Sequence, residues 1–141
     1  RWIEKSLIDT ADHYGMGIIA FCPLYQGLLT DKYINGTPSS SRAAKTIGLI
    51  RDGDLSESVI LCIKELNKIA SDRSQTLAQM ALSWVLRDDK ITSALIGASS
   101  AKQVIENTKC VENLYFSSEE KVLINEALSK ISLPESLWAS E

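Results

Sequence analysis

Apolar residues along the chain follow two rhythms. Residues 2–15, "WIEKSLIDTADHYG", place Ile3, Leu7, Ile8 and Ala11 on one helical face and stop at Gly15. The run "IIAFCPL" (18–24) has no such period; β-branched and aromatic residues follow one another up to Pro23, which predicts a strand buried on both faces, as in parallel sheets. Residues 55–71 return to three- and four-residue steps through Val59, Cys62, Ile63, Leu66, Ile69 and Ala70. Residues 76–89 open with Thr76 and Gln79 at capping-box spacing and align Leu77, Met80, Ala81, Trp84 and Val85. A second buried strand, "ITSALIG" (91–97), follows. Behind it Ser100 and Gln103 again fit a capping box, with Val104, Ile105, Thr108 and Val111 continuing the helix face. Ser117 and Glu120 announce a last helix, with Leu123, Ile124, Ala127, Leu128 and Ile131 apolar.

Helices and strands thus alternate, the signature of a parallel α/β architecture. Two strands are too few for the helices that accompany them. Together with a chain that opens on Arg1 and Trp2, this predicts a piece of something longer, with further strands upstream. Residues 35–54, "NGTPSSSRAAKTIGLIRDGD", lack a period and read as a long loop, the length at which lids and binding loops occur.

Composition narrows the function classes. The chain has 141 residues, 45% of them hydrophobic and 23% charged, an ordinary globular balance for one structural unit. Its net charge is −3 with the basic residues scattered, so nucleic acid is not an expected partner. Cys22, Cys62 and Cys110 are far apart and odd in number, which fits reduced thiols in the cytoplasm. With one histidine and no paired cysteine spacing, a metal site lacks ligands. No apolar stretch approaches the ~20 residues of a membrane span, so membrane insertion is not expected.

Ligands of parallel α/β proteins gather where strands end, and both strands here end in polar chemistry. After the first come Pro23, Gly27 and Lys32, with Arg42 further along: a fixed turn, room for close backbone approach, and two cations for a phosphate. Phe21 is either core packing or a flat face for stacking. After the second comes "GASSAKQVIEN" (97–107). Gly97 leaves backbone room, and Ser99 and Ser100 precede free N–H groups of a new helix, a place for an anion. Gln103, Glu106 and Asn107 share one face, where an amide and a carboxylate can meet the mixed edge of adenine. Together these features point to a nucleotide; two capping residues and three solvated polar ones would look the same. Neither a GxGxxG fingerprint nor a Walker lysine is present. His13 beside Tyr14 sits at a helix end and reads as a dipole partner, not as a catalyst.

The stretches "GIIAFCPLYQGLLTDKY", "SSSR" and "SWVLRDDKITSALIGASSAKQVIEN" resemble the C-terminal part of the aldo-keto reductase superfamily, nearest its glyceraldehyde 3-phosphate reductase and potassium-channel β-subunit branch. The resemblance implies an α/β fold, the last two strands with their helices of a (β/α)8 TIM barrel, left incomplete. It makes residues 1–141 part of one NADP-dependent oxidoreductase domain and residues 35–54 a loop that covers the cofactor, NADPH. It places Phe21 on the nicotinamide, Cys22, Pro23 and Leu24 along the cofactor, and Gln26 and Gly27 near the pyrophosphate. Lys32 and Arg42 match the family's basic residues at the phosphates. Gly97, Ser99, Gln103, Glu106 and Asn107 match its adenosine side, with Ser99 near the 2′-phosphate. Cys22 stands where the family commonly has serine, and Asp31 where it commonly has glycine. The family's catalytic aspartate, tyrosine, lysine and histidine belong to strands that are not in this chain. The resemblance therefore implies a segment inactive alone, whose parent reduces a small carbonyl substrate and is free to form homo-oligomers. It also leaves open an NADPH-sensing scaffold subunit or an inert remnant.

Overall fold

The computed structural model describes residues 2–34 and 55–131. Arg42, the 35–54 loop and the Leu137-Trp138 tail lie outside the described residues.

The amino-terminal segment is not one helix. A 3-10 turn, Trp2–Lys5, precedes helix α1, Leu7–His13, with Ser6 at φ −157 between them. Ile8 is buried while Leu7 is exposed, so the expected face is only partly used. Gly15 stops the helix as its spacing predicts. At φ +64 it lets its own N–H reach Asp12 O and the Met16 N–H reach Ala11 O, the paired bonds of a Schellman cap.

Strand β1, Ile18–Phe21, pairs in parallel with β2, Ile91–Leu95. The register runs Ile18↔Ile91, Ile19↔Ser93, Ala20↔Ala94 and Phe21↔Leu95, with an irregularity after Ile18. There the Ile18 N–H donates to the Thr92 hydroxyl at 3.1 Å. Gly17 makes this approach possible, since a Cβ on it would sit 2.8 Å from Thr92 Oγ1.

The expected burial of both strand faces does not occur. Ile19 is 67% exposed, Phe21 69% and Leu95 56%. Among the described residues the sheet has two strands, and the side chains that alternate toward the face of Ile19, Phe21 and Leu95 stay exposed there. β1 also ends three residues earlier than the apolar run, because Cys22 turns to φ +55 and leaves the extended region.

The core is helical. Helices α2, Glu57–Asp72, α3, Leu77–Leu86, and α5, Ser118–Ser129, contribute Val59, Cys62, Ile63, Leu66, Ala70, Leu77, Met80, Ile124 and Ala127 to one buried cluster. Leu28 and Tyr33, from the segment after β1, belong to the same cluster and fasten that segment to the helices. Ser56, Thr76 and Ser117 cap the three helices, the last two with complete capping boxes. Helix α4, Ala101–Thr108, is shorter than its apolar spacing predicts; the chain tightens into a 3-10 turn, Lys109–Glu112, which leaves Val111 exposed.

α3 also buries a face that the apolar pattern does not mark. Gln79 and Ser83 are among its buried residues, while Ala81, Trp84 and Val85 are only partly covered.

Candidate functional site

The parallel register decides where the candidate residues meet. Because Phe21 lies opposite Leu95, both strands finish at the same sheet edge, and Cys22–Gly27 and Gly97–Asn107 leave from neighbouring positions about 5 Å apart. The two polar exits of the sequence are therefore one region.

The first exit is built from strained backbone. Cys22, Tyr25 and Gln26 have φ values of 55, 45 and 56, three of the four non-glycine left-handed residues among those described; Gly27 follows at φ 96. Each such residue costs on the order of 1–3 kcal/mol, and concentrations of strain of this kind mark ligand-holding segments. Pro23 occupies the second position of a turn closed by the Tyr25 N–H on Cys22 O at 3.0 Å. The Gly27 N–H returns to Leu24 O at 2.9 Å. Cys22, Pro23, Leu24, Gln26 and Gly27 are all half-buried, held between the solvent-facing ring of Phe21 and the buried Leu28.

Thr30 organises the next turn of chain, a role its sequence context does not reveal. Its hydroxyl donates to Gly27 O at 2.6 Å and accepts from the Lys32 N–H at 3.4 Å, capping a short 3-10 turn, Asp31–Tyr33. Tyr33 is buried, so Lys32 beside it is carried on an anchored turn with its side chain exposed. The Lys32 side chain is exposed, and among the described residues it forms no ion pair with Asp31.

The second exit is the start of α4. Ser100 caps the helix by accepting from the Gln103 N–H at 3.3 Å. The reciprocal half of the expected capping box is displaced by one residue. Gln103 Oε1 accepts from the Ser99 N–H at 2.8 Å and the Ser99 hydroxyl at 3.0 Å, which ties Ser99 to the first turn of the helix. A Cβ on Gly97 would meet nothing within 4 Å, so space is open beside the backbone there. One turn further on, Glu106 is paired with Lys109 at 3.1 Å, an exposed bridge of small energetic weight. Asn107 and Gln103 are half-buried on the same face as Glu106.

Other chemistry lies elsewhere. His13 ends α1, edge-on to Tyr14 at 5.0 Å, and precedes the start of β1, the opposite end of the sheet from Phe21. An open cavity of about 550 Å³ lined by Arg87, Asp88, Asp89, Leu114, Tyr115, Phe116 and Lys121 also lies at the end where β2 begins and includes no candidate residue. Cys62 and Cys110 are buried, and burial is the main cause that pushes both thiols above their ordinary pKa. Among the described residues no cluster of His, Cys, Asp and Glu is arranged to hold a metal ion, and no helix is long and apolar enough to cross a membrane.

The sequence profile of the aldo/keto reductase family matches residues 1–129. The chain belongs to the aldo/keto reductase family. It is 45% identical to an L-glyceraldehyde 3-phosphate reductase of Escherichia coli K12 across 98% of its own length and 40% of that protein's. It is 34% identical to a putative voltage-gated potassium channel subunit beta of Schizosaccharomyces pombe, across 77% of its length and 33% of the relative's. Among solved structures, a glycerol dehydrogenase from Gluconobacter oxydans superposes with a TM-score of 0.73 at 25% identity, covering 99% of this chain and 43% of the other. The chain thus spans about two fifths of the length of the curated reductase it matches. Membership of an oxidoreductase family with a TIM-barrel fold fits the parallel βαβ pairing observed here.

Proposed function

We propose that this chain is the C-terminal, cofactor-holding part of an NADPH-dependent aldo-keto reductase that converts aldehydes or ketones to alcohols. Its two strands are the last two of a barrel, and the proton-donating tyrosine and its aspartate, lysine and histidine partners belong to strands outside these residues. The observation that carries the reading is the register Phe21↔Leu95, which brings a solvent-facing aromatic ring, a strained turn and a capped helix start to one edge.

The residues present fit such a cofactor. Phe21 offers a ring face for the nicotinamide. The backbone of Cys22, Pro23 and Leu24, fixed by the turn, lines one side, while Gln26 and Gly27 approach the pyrophosphate. Lys32 and Arg42 supply positive charge to phosphates. Gly97 leaves the room seen beside its backbone, Ser99 sits beside the α4 amino terminus, where anions are favoured, and Gln103, Glu106 and Asn107 present donors and acceptors to adenine. When bound, NADPH supplies the hydride for the carbonyl carbon. In this reading the chain's own residues hold and orient, and the proton comes from the parent's upstream tyrosine. The small carbonyl substrate, a cytoplasmic setting and any homo-oligomer belong to the parent protein.

A second reading rests on the likeness to a potassium-channel subunit: NADPH occupancy of the same site would govern contact with a partner protein. Both readings require the cofactor site. An assay of this chain with NADPH and small aldehydes is expected to show no turnover above blank; measurable aldehyde reduction would sink the division of labour proposed here. Lys32→Met and Arg42→Ala are expected to raise the Kd for NADPH more than that for NADH. Equal effects on the two cofactors would remove these cations from the 2′-phosphate.

A further inference from the structure

Helix α4 carries Gln103, Glu106 and Asn107, yet buries none of its own eight residues. Val104 and Ile105 are exposed, so no apolar side chain on α4 is fully sunk into the core to set its rotation and height. Its placement comes from the neighbouring helix. Gln79 is 7% exposed on α3, and both ends of its amide are committed. Oε1 accepts from the Thr76 N–H at 2.9 Å, inside the capping box. Nε2 donates to the main-chain oxygen of Glu106 at 2.7 Å. That carbonyl is one of the last four of α4, the group that a helix cannot satisfy internally. One side chain therefore bridges the amino terminus of α3 to the carboxyl end of α4, with neither end free to slide.

The bridge has support behind it. The Ser83 hydroxyl, fully buried one turn along α3, donates to the carbonyl of Cys110 at 2.8 Å, just past α4. The Gln75 amide reaches Ser83 Oγ at 2.9 Å and Asn113 O at 3.3 Å. The Arg73 guanidinium reaches the carbonyls of Asn113 and Tyr115 at 3.1 and 2.9 Å. Of these groups only Gln79 touches α4 itself, and it does so at the residue whose side chain belongs to the candidate adenine face.

We infer that Gln79 is a positioning residue for nucleotide binding, acting through the Glu106 carbonyl to hold the face of Gln103, Glu106 and Asn107 in place. The inference rests on the cofactor reading above. Its test compares Gln79→Met, similar in length and without polar atoms, with Ser83→Ala, which also deletes a buried polar group but leaves α4 bridged. NADPH fluorescence titration and amide hydrogen exchange of residues 101–108 in the ligand-free chain are read for each. Gln79→Met is expected to raise the NADPH Kd about tenfold, the equivalent of one lost buried hydrogen bond, and to speed exchange across α4. Ser83→Ala is expected to lower the denaturation midpoint while leaving the Kd within about twofold. Should Gln79→Met not fold, Gln79→Glu at neutral pH keeps an acceptor for the Thr76 N–H, loses the donor to Glu106, and serves as the variant. An unchanged Kd with unchanged α4 exchange overturns the inference, as does an equal rise in Kd in both variants. If the unaltered chain takes up no NADPH, the cofactor reading fails first; exchange of 101–108 then still decides whether Gln79 holds α4.

Discussion

Phe21 separates a packing role from a binding role by numbers. It keeps 69% of its surface exposed, so folding covers only about a third of it. Truncating a fully buried phenylalanine costs about 3–5 kcal/mol, and a third of that sets the expected cost of Phe21→Ala at about 1–1.7 kcal/mol. The uncovered ring has more to lose in binding. A nicotinamide laid on one face would shield on the order of 60 Å², worth about 1.5 kcal/mol at about 25 cal/mol per Å². Stacking contributes a further 0.5–1.5 kcal/mol or so. Together these amount to about 2–3 kcal/mol, a rise in the NADPH Kd of roughly 30- to 150-fold. Urea denaturation followed by circular dichroism measures the first quantity and NADPH fluorescence titration the second. Phe21→Leu sharpens the comparison, since it keeps apolar bulk but loses the flat face; its stability should stay within about 0.5 kcal/mol while affinity still falls. A Phe21→Ala variant that loses 3 kcal/mol or more of stability while binding NADPH unchanged would refute the reasoning and return Phe21 to the core.

Local geometry sets three further outcomes. Gly17→Ala puts a Cβ 2.8 Å from Thr92 Oγ1 and breaks the Ile18–Thr92 bond, so it should cost about 1–3 kcal/mol in the same denaturation assay; a neutral effect would contradict the observed register. Ser74 ends α2 at φ +56, where its N–H and that of Gln75 close a Schellman cap, so Ser74→Val should cost about 1–2 kcal/mol whereas Ser74→Gly should not destabilise; equal behaviour of the two variants would contradict this cap. Burial raises the pKa of Cys62 and Cys110, and hydrogen bonds to Asp9 and Glu65 raise those of Lys90 and Lys130. A raised pKa means the folded state keeps its proton longer, so these contributions are intact below the ordinary thiol and amine ranges and are lost as pH rises through the folded-state values. Denaturation midpoints should therefore fall steadily above pH ~9, and a midpoint that rises there would contradict the assignment.

What was legible in the sequence was local. Thr76 and Ser117 start helices because their hydroxyls meet N–H groups three residues away, and Gly15 ends one because it alone there accepts φ +64 cheaply. The strand positions were legible, and with them the fact that two polar exits follow two strands. Their burial was not. A run such as "IIAFCPL" records what a strand is built to meet, and Ile19 and Phe21 remain open because nothing among the described residues covers that side. The α4 capping box differs from its sequence pattern by one residue because the Gln103 amide oxygen takes the N–H and hydroxyl of Ser99 in place of the Ser100 N–H, a choice that the backbone makes and residue types do not record. The Gln79 bridge to α4, beyond its capping box, and the Thr30 turn escape sequence reading for a related reason. Their partners, Glu106 O and Gly27 O, are main-chain atoms and leave no mark in residue types.

The exposed row of Ile19, Phe21 and Leu95 also bears on how the chain behaves alone. Apolar side chains on a sheet whose two strands each have an unpaired edge among the described residues favour association, so titrations belong at low protein concentration.

The most direct test of the central claim is a fluorescence titration of this 141-residue chain with NADPH, run beside NADH. The account predicts saturable enhancement of nicotinamide emission at one site per chain, with NADPH tighter than NADH because the site reads the 2′-phosphate. Flat traces for both cofactors, or NADH bound as tightly as NADPH, would contradict it.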